Sequence, residues 1–263
     1  SQYSVLQSTS RINDLVQTAA NDHMPAVSLT DHANLMGAFH FIKAIKKHNA
    51  DLPQGAALLK PILGCEFYVC ENHQDRSRRD NGYQIVFIAK NKKGYENLSK
   101  MSSIAYTQGF YYVPRIDKKV VEQYKSDLMV LTGNLYGEVP SKILNVGDNQ
   151  AEEALKWWQE QFGEDFYIEL MRHQQEDEKR ANKVLLHFAQ KYNIKVLATN
   201  NSYYTTKAEA NAHDILLCVK DGEKQATPIG RGRGYRFGFP NQEYYFKSQA
   251  EMKSLFADLP EAI

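Results

Sequence analysis

Cysteine is scarce in this sequence, and so is any surplus of charge of one sign. The 263 residues include only Cys65, Cys70 and Cys218, with no C-x-x-C pair. An odd number of cysteines without paired spacing argues against a disulfide framework and against a zinc knuckle, so we expect reduced thiols. Lys and Arg number 32 against 31 Asp and Glu, a formal charge of +1. This balance argues against a protein that binds a nucleic-acid backbone over its whole surface.

Long apolar runs are also missing. No stretch approaches the roughly 20 apolar residues that a membrane-spanning helix needs. The first residues also lack the basic segment and apolar core of a signal peptide. We therefore expect a cytoplasmic protein with no membrane partner. Hydrophobic residues make up 43% of the chain and charged residues 24%, which excludes the disordered, collagen-like and coiled-coil classes.

The sequence does contain an alternation of strand-like and helix-like segments. Residues 83–89 form the near-continuous apolar run of a buried strand, whereas apolar residues recur at helical spacing in residues 10–23. The other predicted strands are 26–30, 58–69, 128–132, 166–170 and 196–199. The other predicted helices are 34–48, 93–106, 152–162, 176–192 and 208–219, and a polar helix is predicted towards the end of the tail 242–263. At least six β/α steps with short connections predict a parallel α/β sheet or barrel.

Two segments are predicted to be loops. Residues 71–82 have no large apolar side chain, and residues 220–238 contain five glycines and the basic run Arg231, Arg233 and Arg236. Cations beside an aromatic residue on flexible backbone are typical of a nucleic-acid contact. A solvated loop that packs on another part of a larger protein has the same composition, so both interpretations stay open.

Arg115, in the string Pro-Arg-Ile-Asp, has two interpretations as well. It could contact a phosphate or a partner surface, or it could form a salt bridge with Asp117 or Glu138. His173 and His213 are more simply explained as structural residues.

Polar side chains follow several of the predicted strands, where functional residues lie in a β/α barrel. They are Thr30-Asp31-His32, Glu66 within Gly-Cys-Glu, Thr132-Gly133-Asn134 and Thr199-Asn200-Asn201-Ser202-Tyr203.

Eight strings, taken in order, resemble one family. They are Leu-Thr-Asp-His at 29–32, Ile-Leu-Gly-Cys-Glu at 62–66, Ala-Lys-Asn at 89–91, Gly-Phe-Tyr-Tyr at 109–112 with Pro-Arg-Ile-Asp at 114–117, Gly-Glu-Val-Pro at 137–140, Leu-Ala-Thr-Asn at 197–200, Ala-His-Asp-Ile-Leu-Leu-Cys at 212–218 and Leu-Phe-Ala-Asp-Leu-Pro-Glu-Ala at 255–262. Together they resemble the polymerase-and-histidinol-phosphatase (PHP) domain that opens the alpha subunit of bacterial replicative DNA polymerase III. The resemblance covers essentially the whole chain.

The resemblance implies a distorted seven-stranded (β/α)7 TIM-like barrel. Residues 1–263 would form one PHP domain that starts after the family's His-x-His pair. Residues 220–238 would be a surface loop, and residues 239–263 would begin the connection to the polymerase body. In metal-dependent members, His, Asp, Glu and Cys side chains at the strand ends bind divalent ions, which activate water and clamp a phosphate.

The resemblance also implies that most metal ligands are lost here. Asp31, His32 and Glu66 are retained, whereas Gln7, Gln84, Asn134, Asn201 and Tyr203 stand where the family has ligands. Amides and a protonated phenol cannot supply the negative charge that clustered cations need. We therefore expect no catalytic residue and no bound metal. His32 and Glu66 would remain in a hydrogen-bonded remnant or, less simply, in a site for one ion.

The function implied by the resemblance is that of a non-catalytic structural and protein-interaction domain. Its partners would be the rest of the polymerase alpha subunit, a proofreading exonuclease subunit and, through the parent protein, DNA. Synthesis of DNA with magnesium would belong to the parent protein, and this chain alone would be no enzyme.

Two alternatives remain open. An active metal-dependent phosphoesterase or 3′–5′ exonuclease, using zinc or manganese, is supported by Thr30-Asp31-His32 and Glu66. A free-standing histidinol phosphatase is disfavoured by the polymerase-type strings after Gly109.

Overall fold

A computed structural model describes all residues, Ser1–Ile263. The strands are β1 (Ala26–His32), β2 (Lys60–Cys70), β3 (Tyr83–Ala89), β4 (Arg115–Asp117), β5 (Leu128–Leu131), β6 (Phe166–Leu170) and β7 (Lys195–Ala198). The helices are α1 (Ile12–Asn21), α2 (Ala38–Ala50), α3 (Lys92–Thr107), α4 (Lys118–Tyr124), α5 (Glu138–Asn145), α6 (Asp148–Phe162), α7 (Glu176–Tyr192), α8 (Ala210–Asp221) and α9 (Gln249–Leu255). None of these helices has the length and apolar character needed to cross a membrane.

Every strand and helix predicted from the alternation is present, with ends shifted by a few residues. The elements that the pattern did not reveal are β4, α4 and α5. β4 has only three residues, too few to show a period. α5 carries Pro140 in its first turn, where a missing backbone N–H costs nothing because that group has no partner within the helix.

The strands form one mixed sheet. Its order is β1-β2-β3-β5-β6-β7, and β4 pairs with β2 in parallel. β5, β6 and β7 run parallel to one another, whereas β3 is antiparallel to both β2 and β5. The α/β class and the seven strands are therefore confirmed, and the reversed β3 is where the sheet departs from a regular parallel barrel.

The chain folds into two compact units, each made of three separate segments. The first unit comprises Ser1–Leu29, Met36–Pro61 and Asn200–Leu255, and the second comprises Thr30–Leu35, Ile62–Thr199 and Phe256–Ile263.

The core of the second unit is aromatic. The Phe87 ring lies 5.9 Å from that of Phe67 and 6.1 Å from that of Trp158, distances at which edge-to-face pairs are favourable. Trp158 is almost fully buried, and its indole N–H donates to Glu138 Oε2 over 2.9 Å. The buried polar end of the ring is thereby satisfied.

The first unit has an aromatic cluster of its own. The Phe239 ring stacks on Tyr244 at 4.1 Å and on His213 at 5.0 Å. His213 Nε2 donates to the Gln7 carbonyl over 2.8 Å, and burial lowers the pKa of His213. A neutral, hydrogen-bonded imidazole within an apolar cluster fits the structural role predicted for this histidine.

Candidate functional site

Two of the retained positions meet at the end of β1. His32 is the last residue of β1 and Glu66 lies within β2, and the Ala33 N–H donates to the Glu66 carbonyl over 2.8 Å. The side chains are each 8% exposed, and His32 Nδ1 lies 2.8 Å from Glu66 Oε1. Asp31, beside His32, is also buried. A buried imidazole and a buried carboxylate are therefore in direct contact at this strand end.

The register of β2 and β3 decides which side chains share this face. Tyr68 pairs with Gln84 across the two strands, so Glu66, two residues earlier on β2, points to the same side as both. The His32 ring stacks against Tyr68 with 6.3 Å between the ring centroids. The polar face therefore extends from His32 across β2 to Gln84.

Cys65 lies on the opposite side of β2. It is fully buried, and its pKa is raised well above its ordinary value, first by burial and then by the charges of Asp31 and Glu66. A thiol kept protonated in this way is a poor nucleophile and a poor metal ligand. The prediction that Cys65 is a small buried residue facing away from the site is consistent with this placement.

Gln84 and Asn134 bind each other. Asn134 Nδ2 donates to Gln84 Oε1 over 3.0 Å, while Asn134 Oδ1 accepts the Tyr136 N–H over 2.8 Å. The Gln84 N–H in turn donates to the Tyr136 carbonyl over 2.9 Å. Both side-chain oxygens therefore accept hydrogen bonds from the protein, at two positions where the resemblance expects ligands.

Glu169, near the end of β6, is a buried acid that the sequence reasoning missed. Its Oε1 accepts the Thr199 hydroxyl over 2.7 Å, whereas its buried Oε2 makes no hydrogen bond of normal geometry. Burial raises the pKa of Glu169 to about 7; the Thr199 hydroxyl and the Gly133 N–H oppose this rise, and the charge of Glu66 adds to it. The available signal was an acidic residue inside the apolar strand Phe-Tyr-Ile-Glu-Leu.

The other three substituted positions lie in the first unit. Tyr203 packs against Phe239 at 4.9 Å and His213 at 5.6 Å. Asn201 is half-buried, and the Gln7 carbonyl receives the His213 hydrogen bond described above. The contacts of Tyr203 and Gln7 are those of a packed polar and aromatic cluster.

The residues present do not fit a cluster of divalent ions. No group of three or more His, Cys, Asp and Glu side chains in the chain is arranged to hold a metal ion. Protein metal sites ordinarily use at least three such ligands around zinc, and several charged or carbonyl oxygens around harder cations. The contact between His32 and Glu66 brings together two side chains of the correct type, which is fewer than either kind of site uses.

Comparison with known proteins now identifies the family. The sequence model of the PHP domain matches residues 1–173. The chain belongs to the PHP domain family. Over their aligned lengths, DNA polymerase III alpha subunits of Borreliella burgdorferi, Campylobacter jejuni and Thermus aquaticus are each 36% identical to it, and the alignments cover 99–100% of this PHP chain. The chain spans only about a fifth of those relatives, 20–22% of their length.

A structural likeness to another protein is weaker. A solved structure from Bifidobacterium adolescentis, described as a metal-dependent phosphoesterase, aligns over 88% of each chain with a TM-score of 0.48 and 12% sequence identity. A likeness at this level carries no argument about the chemistry of this PHP chain.

The structure corrects the surface role predicted for Arg115. Its side chain is fully buried, and its guanidinium donates to the Gly109 carbonyl and to three backbone carbonyls in the loop 71–82. Asp117, one expected ion-pair partner, instead lies 2.6 Å from His73 Nδ1. Arg115 therefore fastens the loop to the rest of the unit, because a guanidinium can satisfy several backbone acceptors at once.

The structure also corrects the surface role predicted for Arg236. It is 5% exposed, and its two terminal nitrogens lie 2.7 and 2.9 Å from the Asp214 carboxylate oxygens. Only Arg231 and Arg233 of the predicted basic run point into solvent. The basic run is therefore divided into one anchoring arginine and two exposed ones.

Proposed function

We propose that this chain is the PHP module of a bacterial replicative DNA polymerase alpha subunit and that it serves as a scaffold and protein-interaction module without hydrolytic activity. The similarity to DNA polymerase III alpha subunits extends over the whole chain, while the chain spans about a fifth of their length. Nucleotide addition with magnesium would then be carried out by parts of the parent protein outside this chain.

The observation that carries the proposal is the hydrogen bond between Gln84 and Asn134. A divalent cluster needs anionic or imidazole ligands whose lone pairs point at the ions. Two neutral amides that bond to each other and to the backbone supply no charge, and their oxygens are already engaged. These hydrogen bonds support a polar face without metal, because they engage both oxygens at two positions where the resemblance expects ligands.

An activity measurement tests the loss of hydrolysis. The chain is incubated with Zn²⁺, Mn²⁺ or Mg²⁺ and offered p-nitrophenyl phosphate or single-stranded DNA labelled at its 3′ end. We expect product formation no greater than that of Glu66→Ala in every metal. Turnover that is present in the wild type and lost in a folded Glu66→Ala variant would overturn the proposal.

The rival function is a metal-dependent phosphoesterase or 3′–5′ exonuclease with a reduced ligand set. The contact between His32 and Glu66 favours it, because a histidine and a carboxylate 2.8 Å apart are two ligands of the correct type. Under this rival, zinc or manganese would restore turnover, and His32→Gln would abolish it together with Glu66→Ala.

The docking part of the proposal concerns the surface around the turn at residues 109–113. Phe110 is 49% exposed and Tyr112 60% exposed, and the Arg79 guanidinium lies 4.7 Å from the centre of the Tyr112 ring. Exposed aromatic and arginine side chains are enriched in protein interfaces. Buried Arg115 bonds both this turn and the loop that carries Arg79, which keeps the surface in one conformation.

A binding measurement tests the docking role. The purified proofreading exonuclease subunit of the same organism is titrated onto the chain, and affinity is measured by calorimetry. We expect the double variant Phe110→Ala/Tyr112→Ala to weaken binding at least about thirtyfold, the effect of truncating an interface hot spot. Tyr136→Ala, which removes another exposed ring, is the matched control. Undiminished binding by the double variant would refute this location.

A further inference from the structure

The loop at residues 222–238 has an unusual charge distribution. The loop contains one acid, Glu223, and four cationic residues, Lys224, Arg231, Arg233 and Arg236. Asp214 neutralises Arg236, and the other three cations still outnumber Glu223. In a chain whose total charge is only +1, this segment is a local excess of positive charge. Such an excess attracts polyanions even when the protein as a whole is neutral.

Arg236 fixes the shape of the loop. Besides the paired contact with Asp214 of α8, its guanidinium donates to the Thr227 and Gln225 carbonyls over 2.8 and 3.2 Å. The backbone closes the loop as well, because the Arg236 N–H donates to the Pro228 carbonyl and the Gly230 N–H donates to the Arg236 carbonyl, each over 3.0 Å. The loop is therefore a formed structure before any partner arrives.

The tip of this loop presents two cations and a ring. Arg231 and Arg233 are exposed, and Gly232 and Gly234 beside them have φ angles of +93° and +86°, a left-handed backbone conformation that favours glycine. Tyr235 is 52% exposed, and a β-carbon added to Gly230 would lie 2.4 Å from the Tyr235 ring. The ring thus lies against Gly230, and about half of the side chain still presents surface to solvent.

We propose that residues 229–237, the arginine loop, form a binding surface for single-stranded DNA. Arg231 and Arg233 contact phosphate oxygens, for which the planar guanidinium is well suited. Tyr235 stacks on an unpaired base, and the requirement for a free base face selects a single strand over a duplex. The proposal goes beyond the scaffold role and does not depend on the loss of the metal site.

Fluorescence anisotropy with a labelled 20-nucleotide oligo-dT tests the phosphate contacts. We expect Arg231→Ala/Arg233→Ala to weaken binding at low salt at least about tenfold, and to reduce the slope of log K against log salt by about 1.4, about 0.7 for each phosphate that is no longer neutralised. The matched control is Lys46→Ala/Lys47→Ala, which removes two exposed cations from α2. The control should change affinity less than about twofold.

The aromatic contact has a separate signature. We expect Tyr235→Ala to weaken binding about five- to a hundredfold without changing the salt slope, while Tyr235→Phe binds like the wild type. Circular dichroism checks that each variant is folded. Absence of wild-type binding at low salt, equal loss in the lysine control, or equal affinity for a duplex of the same length would each overturn the proposal.

Discussion

The polar face of the second unit, taken together with Asn134 beside Gln84 and Glu169 near Glu66, has a neutral half and an acidic half. Around β3 and β5, neutral Gln84 and Asn134 bond to each other and to the backbone. On β2 and β6, Glu66 and Glu169 are buried carboxyl groups, and Glu169 Oε2 makes no hydrogen bond of normal geometry. The first half contains only neutral groups that hydrogen-bond to the protein, whereas the second contains two ionisable groups with no cation between them.

Under the proposed function, the two halves are two ways for the sheet to stay intact without bound metal ions. Neutral amides remove the need for a cation, because they carry no charge to balance. A buried carboxylate that lacks a cation is instead neutralised by a proton, which is why burial raises the pKa of Glu169 to about 7.

The largest expected effect is on Glu169. Its folded-state pKa of about 7 lies above its ordinary value of 4.5, so the folded state holds the proton more tightly and stability falls as pH rises from about 4.5 through 7. We expect Glu169→Gln, which keeps an acceptor for Thr199, to stabilise the chain by roughly 2 to 3 kcal/mol at pH 8 and by less than about 1 kcal/mol at pH 5.

Urea denaturation at the two pH values measures this effect. Glu160→Gln, which neutralises an exposed glutamate on α6, should change stability by less than about 0.5 kcal/mol at either pH. If Glu169→Gln were equally stabilising at pH 5 and pH 8, or destabilising at pH 8, the second half would not carry uncompensated charge.

A smaller effect is expected in the amide half. Removing either partner of the bond between Gln84 and Asn134 leaves the other amide with an unused group, at a cost of about 1 to 2 kcal/mol. In a double-mutant cycle with Gln84→Ala and Asn134→Ala, we expect a coupling energy of about 0.5 to 1.5 kcal/mol. Thermal denaturation of the four proteins supplies the values.

Asn145→Ala is the control for this cycle. Asn145 makes an exposed side-chain hydrogen bond to the Ser141 carbonyl, so its loss should cost less than about 0.5 kcal/mol. Strictly additive effects of the two core substitutions would mean that the amides do not stabilise each other.

The smallest effect links the two acids of the charged half. The charge of Glu66 raises the pKa of Glu169, although less than burial does. We therefore expect Glu66→Gln to lower the pKa of Glu169 while leaving it above its ordinary value. Carbon-detected NMR of the Glu169 carboxyl group follows this titration, and an unchanged or higher pKa would show that the two carboxylates are not coupled.

The alternation of apolar strands and amphipathic helices was sufficient to predict the α/β class, because buried strands and half-buried helices impose different periods on the sequence. The predicted strands also identified Glu66 and Asn134 as candidate site residues, because both lie within or directly after a strand. The antiparallel direction of β3 could not be predicted, because the apolar pattern of a buried strand is the same whether the strand runs parallel or antiparallel to its neighbours.

The roles of Arg115, Arg236 and Glu169 depend on contacts that local sequence does not show. Arg115 bonds carbonyls as far as 42 residues away in sequence, and Arg236 is neutralised by Asp214, 22 residues away. An arginine outside a clear motif is normally expected at the surface. Glu169 was not predicted as a site residue, because a single acidic residue in an apolar strand does not indicate which side chains will surround it in the fold.

The most direct test of the account is the metal content of the chain. Protein purified without chelator and passed through gel filtration is analysed by inductively coupled plasma mass spectrometry, then titrated with Zn²⁺ and Mn²⁺ in a calorimeter. We expect no stoichiometric transition metal and no tight binding isotherm. Two or three ions per chain that survive gel filtration and disappear in a folded Glu66→Ala variant would contradict it.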